Sequence, residues 1–154
     1  MLYGWINRRS YRKSRKIRKR YSGLMSENFK IEIISPDQSI LSLETTEVTI
    51  PCYEGLMTIL KDHIPLVTFL RPGFIKVKNK ENNVIFFAEE GTVEFFDNTL
   101  LILTTSTRDI KKIDNKEVLE MIENTEKQIA DNKIADKEKY ILSYKLSSLK
   151  ELNQ

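Results

Sequence analysis

Between Phe29 and Thr105 the apolar residues recur at every second position in short runs, and after Ile113 the spacing lengthens to three and four. A period of two places side chains on alternate faces of a strand, whereas a period near 3.6 lines one face of a helix. A chain that switches once between them folds as strands first and helices last. The first run alternates at Phe29, Ile31 and Ile33 and closes at Ser35-Pro36-Asp37, a turn sequence. Residues 40 to 50 alternate as Leu41, Leu43, Val48 and Ile50, with the parity flipping between Thr45 and Thr46, which predicts a bulge or a break there. Pro51 is expected to end that strand. Further runs cover Leu56 to Leu60, Leu66 to Leu70, Phe74 to Lys78, Val84 to Ala88, Thr92 to Phe96 and Thr99 to Thr105, with turn residues between them. Strands at this spacing read as an antiparallel sandwich or barrel.

Asp114 followed by Glu117 predicts a capping box opening the first helix. Its stripe is Val118, Ile122, Thr125 and Ile129. Asp131-Asn132-Lys133 breaks the pattern, and Ala135, Leu142, Leu146, Leu149 and Leu152 form a second stripe. The fold class is therefore α+β: an N-terminal antiparallel β-sandwich over residues 25–112, then a C-terminal antiparallel two-helix hairpin over 113–154. So thin an apolar seam cannot order two helices alone, so the hairpin is expected to lean on the sandwich or on another protein, and to be able to exchange one for the other.

Residues 1–24 hold nine of the 25 Lys and Arg residues and no acid, which leaves 16 basic against 22 acidic residues, a net of −6, for residues 25–154. The basic character belongs to this leader, where like charges repel and disorder is expected. Three origins stay open for it: a start assigned upstream of Met25, an Arg- and Ser-rich mitochondrial presequence, or a basic arm for nucleic acid or anionic lipid. The last would also use Tyr3, Trp5, Tyr11 and Tyr21. An acidic domain argues against a nucleic-acid-binding face on the folded part.

Catalytic patterns are missing from the sequence. There is no P-loop, dinucleotide-binding fingerprint or nucleophile elbow, and one Cys with one His, Cys52 and His63, cannot make a structural zinc site. His63 reads as a loop or packing residue, Cys52 as packing at a strand end, and Glu89-Glu90 as a solvated turn. No metal or cofactor is expected.

From Glu54 the sequence runs Glu54-Gly55, Ile59, His63, Pro65 and Leu66 into Arg71-Pro72-Gly73 and Ile75, then Gly91 with Glu94 and the step Ile113-Asp114. In order and spacing this resembles the epsilon subunit of F-type ATP synthases (delta in mitochondria), over residues 29 to about 152. Thr58, Lys61 and Asp62 depart from the family's usual glycine, proline and glycine. The resemblance implies a non-catalytic rotor subunit that grips the gamma subunit and rests on the c-ring, peripheral to the membrane. Its place would be the cytoplasmic face of a bacterial inner membrane or, alternatively, the matrix side of the mitochondrial one. It further implies a c-ring-facing edge of mixed charge carrying Glu54, Gly55, Lys61, Asp62 and His63, and a turn of Arg71, Pro72 and Gly73 before the next strand. Ile113 and Asp114 would start the helices, whose Leu142, Lys145, Leu146, Leu149 and Lys150 would reach the alpha and beta catalytic subunits and restrain ATP hydrolysis. Some relatives bind regulatory ATP through Ile/Leu-Asp-x-x-Arg-Ala, but here Glu117-Val118 follow Ile113-Asp114. A carboxylate there repels phosphate, which argues against regulatory ATP binding.

Overall fold

The computed structural model describes residues 27–154, so the basic leader, its aromatic residues and the Met25 start lie outside the described residues. Among the described residues ten strands precede the helices: β1 Phe29–Ile34, β2 Ser39–Thr45, β3 Glu47–Cys52, β4 Gly55–Leu60, β5 Leu66–Leu70, β6 Gly73–Lys78, β7 Asn83–Ala88, β8 Gly91–Phe96, β9 Thr99–Thr104 and β10 Thr107–Asp109. A 3-10 turn over Ile110–Lys112 leads to α1, Asn115–Ala130, and α2, Asp136–Leu152. The expected sandwich and helical hairpin are both present.

Hydrogen bonding runs β10-β7-β6-β3-β5-β8-β9-β1-β2, with β4 on β3. Strand β3 meets β5 only at Cys52 and Leu70, so the sheet folds over at that corner into two layers. One layer contributes Val48, Ile50, Ile59, Ile75, Val77 and Phe86 to the core, and the other contributes Phe29, Ile31, Ile33, Val93, Phe95, Leu100 and Ile102. These are the inward positions of a period-two pattern, and the interdigitated layers explain why so many are wholly buried. Neighbouring strands are antiparallel except β1 and β9, which pair in parallel.

The parity flip is a break. Thr46 separates β2 from β3, and the Lys78 carbonyl gathers it in, accepting from Thr46 N at 3.1 Å, Thr46 Oγ1 at 2.9 Å and Thr45 Oγ1 at 2.7 Å. Pro51, expected to end β3, instead lies within it opposite Leu56. Its carbonyl accepts from Arg71 N at 3.0 Å, so the position is used as an acceptor, the one role proline keeps.

The capping box does not form. Asp114 occupies the N-cap position of α1 without a side-chain bond, and Glu117 pairs with Arg108 of β10. A full charge on the neighbouring strand outcompetes a backbone N–H for the carboxylate, and the pair ties the start of α1 to the sandwich. Ala135, assigned to the apolar stripe, is the exposed N-cap residue of α2. Helix α2 rests against β6, and the 3-10 turn that leads into the hairpin rests against β7. Phe87 points away from the sandwich core and is nonetheless buried, as are Val118 of α1 and Leu149 of α2. Phe74, in register with Phe87, meets it edge-on at 6.0 Å.

Candidate partner-binding surfaces

The residues expected to form one edge fall at two ends of the molecule. Glu54 and Gly55 lie at one end of β4 and Lys61, Asp62 and His63 beyond the other, roughly 20 Å apart at strand rise. The edge of mixed charge is therefore not a single patch, because a paired strand separates its halves.

At the near end, Tyr53 and Glu54 turn the chain between β3 and β4, and Gly55 takes φ +128, a conformation glycine adopts freely. Arg71-Pro72-Gly73 packs against this turn. Arg71 Nε donates to the Cys52 carbonyl at 3.0 Å, and a Cβ on Gly73 would sit 2.9 Å from Pro51 Cβ. Strand β6 can approach β3 so closely only without a side chain there. Ser148 of α2 is the next neighbour, at 3.8 Å from that same position.

Helix α2 closes over this end. The Arg71 guanidinium lies over the Tyr144 ring, and Tyr144 in turn meets Tyr140 edge-on with their hydroxyls 2.6 Å apart. Lys145 Nζ pairs with Glu89 Oε1 at 2.8 Å, with only 18 % and 30 % of the two side chains exposed. Glu90 accepts from the Tyr53 hydroxyl at 3.1 Å. Burial, and then the neighbouring carboxylate, push the Tyr53 phenol up from its usual range. Glu89 is thus a joint with the helix and not the solvated acid that its neighbour suggests, while Glu90 stays exposed at the turn. Lys150 pairs with Glu126 across the hairpin, Leu142 and Leu146 are half-buried, and Leu149 is buried. In this arrangement Lys145, Lys150 and Leu149 all face the chain itself.

At the far end, His63 packs edge-on against Phe95 at 5.8 Å, and its Nδ1 lies 2.9 Å from the Ile64 carbonyl. Around it the surface mixes exposed Asp62 with exposed apolar side chains, Leu60 and Ile64.

The outer face of β5, β8 and β9 carries a surface the sequence reading missed. Register places Phe69, Thr92 and Leu103 in one row and Val67 beside Glu94 in the next. Val67, Phe69 and Phe96 are each more than 60 % exposed and Leu103 nearly half. A groove of about 630 Å³ runs between Phe69, Leu103, Ile34 and Pro36 over Gly91. A second, of about 440 Å³, continues past Phe69 and Tyr53 to Lys137 and Ile141 of α2. Solvent-facing positions that are themselves apolar are the usual mark of a protein-contact surface. The sequence sign was available in Leu66-Val67-Thr68-Phe69-Leu70, which is apolar at both parities.

Among the described residues no group of His, Cys, Asp and Glu is placed to hold a metal. No helix among them is long and apolar enough to cross a membrane.

A family model described as "ATP synthase, Delta/Epsilon chain, beta-sandwich domain" matches residues 28–109. The chain is 45% identical over 130 residues to the ATP synthase epsilon chain of Pelagibacter ubique, covering 84% of this chain and 100% of that one. It is 31% identical over 111 residues to the epsilon chain of Rhizobium etli, covering 70% and 80%. Among solved structures it superposes on a chain of the Euglena gracilis mitochondrial ATP synthase with TM-score 0.67 and 18% identity, covering 83% of this chain and 81% of that one. A chain of the Tetrahymena thermophila mitochondrial ATP synthase central stalk and c-ring gives TM-score 0.60 at 18% identity, covering 81% and 96%. At that identity the structural likeness speaks to the fold.

Proposed function

The chain belongs to the ATP synthase delta/epsilon family, and from that premise we propose that it is a rotor part that carries torque between the c-ring and the catalytic head. An epsilon chain is a subunit of that complex without catalysis of its own, so stiffness and surface complementarity are what the fold has to supply. The sandwich grips the gamma subunit, the far-end loop around Asp62 and His63 rests on the c-ring, and the complex sits at the cytoplasmic face of a bacterial inner membrane.

The observation that carries this reading is the apolar outer face of β5, β8 and β9, with Phe69 exposed beside a groove. Such a face is costly to leave in water and is stabilised when a partner covers it. Gamma is its occupant in this proposal. Co-purification with the gamma subunit tests it: the native chain retains gamma, and Phe69→Ser, a solvent-facing change that leaves the core intact, loses most of it. Gamma capture undiminished by Phe69→Ser, or absent from the native chain, removes the reading.

The hairpin is the regulatory part of the proposal. Its docked state relies on a few polar bonds at the near end and a modest apolar contact, so it can leave the sandwich and extend along gamma toward the alpha and beta subunits, restraining hydrolysis. Nucleotide does not control that step. Glu117 stands where relatives that bind ATP have arginine, and it is already paired with Arg108. Calorimetry with millimolar ATP is expected to show no saturable binding, and a clear isotherm would overturn that part.

A further inference from the structure

Asp62 has φ +60, in the left-handed region where a non-glycine residue needs local support. The support comes from far along the chain. The backbone N–H of Asp62 donates to Asn98 Oδ1 at 2.7 Å, and Asn98 Nδ2 donates back to Asp62 Oδ1 at 2.9 Å. Asn98 is itself fixed. With Asp97 it forms the two-residue turn between β8 and β9, both residues being left-handed at φ +46 and +54, and its carbonyl accepts from Lys30 N at 2.9 Å. The start of β1, the β8–β9 turn and the loop after β4 therefore meet at one residue, β1 through its backbone carbonyl and the loop through its side chain.

That loop projects Ile64, which is 74 % exposed, and follows Leu60. Glycine at position 62 would reach φ +60 without help, but it would leave the loop free to open. Aspartate clamped by asparagine holds the same backbone in one state, and a loop already in its bound shape has less ordering to do when it docks.

We propose that Asn98 is a positioning residue for the contact with the c-ring: through Asp62 it presets the loop that meets the ring. This rests on the reading of that loop as ring-facing. The groups around the clamp belong to three separate segments, so the ring-facing end is a composite of the Leu60–Pro65 loop and the β8–β9 turn.

The test uses the full chain, the gamma subunit and a rotor assembled from gamma and the c-ring. Asn98→Ala is expected to speed amide exchange of Asp62 about tenfold or more in the isolated chain. It should leave binding to gamma alone unchanged and weaken retention on the ring-bearing rotor about tenfold. The exchanged pair Asp62→Asn with Asn98→Asp keeps two donors facing two acceptors, so it should restore both readouts, a recovery that mere loss of packing does not predict. Native retention on the rotor by Asn98→Ala overturns the proposal, as does failure of the exchanged pair to recover it. If the native chain holds the ring-bearing rotor no better than gamma alone, the ring-facing reading itself falls and the proposal with it. The exchange measurement still reports separately on the clamp.

Discussion

The Arg71 guanidinium lies over the Tyr144 ring, 4.1 Å from its centre, so a turn of the sandwich and a helix of the hairpin are joined there. Arg71 is held for this by its bonds to the Pro51 and Cys52 carbonyls at 3.0 Å, which leave the flat of the guanidinium available for stacking.

Replacing Tyr144 with Ala removes the ring and its partnership with Tyr140. A cation–π contact that is partly shielded contributes about 1 kcal/mol, so amide exchange in α2 is expected to rise roughly fivefold while exchange in β8 and β9 stays the same. Equal acceleration in the sandwich strands would show that Tyr144 supports the whole fold and not the docked helix.

Lys145 and Glu89 form the second tie. Both are largely shielded, so Lys145→Glu places two carboxylates together and should undock α2, read as faster exchange or cleavage by protease in the hairpin. The reversed pair, Lys145→Glu with Glu89→Lys, should recover docking, with a coupling of about 1 kcal/mol in the double-mutant cycle. Additive effects of the two changes would mean that the ion pair contributes nothing.

Gly91 is required by contact. A Cβ there would lie 2.4 Å from the Leu103 carbonyl oxygen and 3.1 Å from Thr104 Cα, both backbone atoms of β9. Gly91→Ala must push the two strands apart and should cost about 1–3 kcal/mol, lowering the thermal midpoint by several degrees. An unchanged midpoint would show that the β8–β9 pair yields at no cost.

Cys52 is fully buried, and burial, the main cause, lifts its thiol above the ordinary range even though a Thr68 hydrogen bond pulls the other way. A raised value in the folded state means that folding favours the neutral thiol. That contribution is complete below the ordinary thiol range, near 8.5, and is lost as pH climbs through the folded value. Native protein at neutral pH should therefore leave a disulfide reagent almost unconsumed until it unfolds. The alkaline fall in stability should be shallower in Cys52→Ala than in the native chain, and identical slopes would exclude Cys52 as a source.

The elements were legible because alternation and turn chemistry are local. Phe29, Ile31 and Ile33 occupy the core face as their spacing required, Asp97-Asn98 makes the turn its composition suggests, and Thr45-Thr46 breaks the strand where the parity flips. Two of the errors share one physical origin. Glu117 was set to cap its own helix and is taken by Arg108 of β10, while Glu89, which reads as a surface acid, is claimed by Lys145. In each case a charge brought close by the fold outcompetes the local partner. Pro51 follows the same logic, since a strand can keep a proline when a neighbouring segment needs only its carbonyl.

By itself, then, the sequence determined which stretches are strands or helices, which residues of each are apolar, and in what order they come. These depend on the direction in which successive side chains point, a property of the nearest few residues. Only the tertiary structure decided that Glu54 and Asp62 lie at opposite ends of a strand, that Asn98 holds Asp62 from 36 positions away, and that Phe69 is left uncovered. Those relations depend on which segments the folded sheet brings together, and no local periodicity encodes such a neighbour.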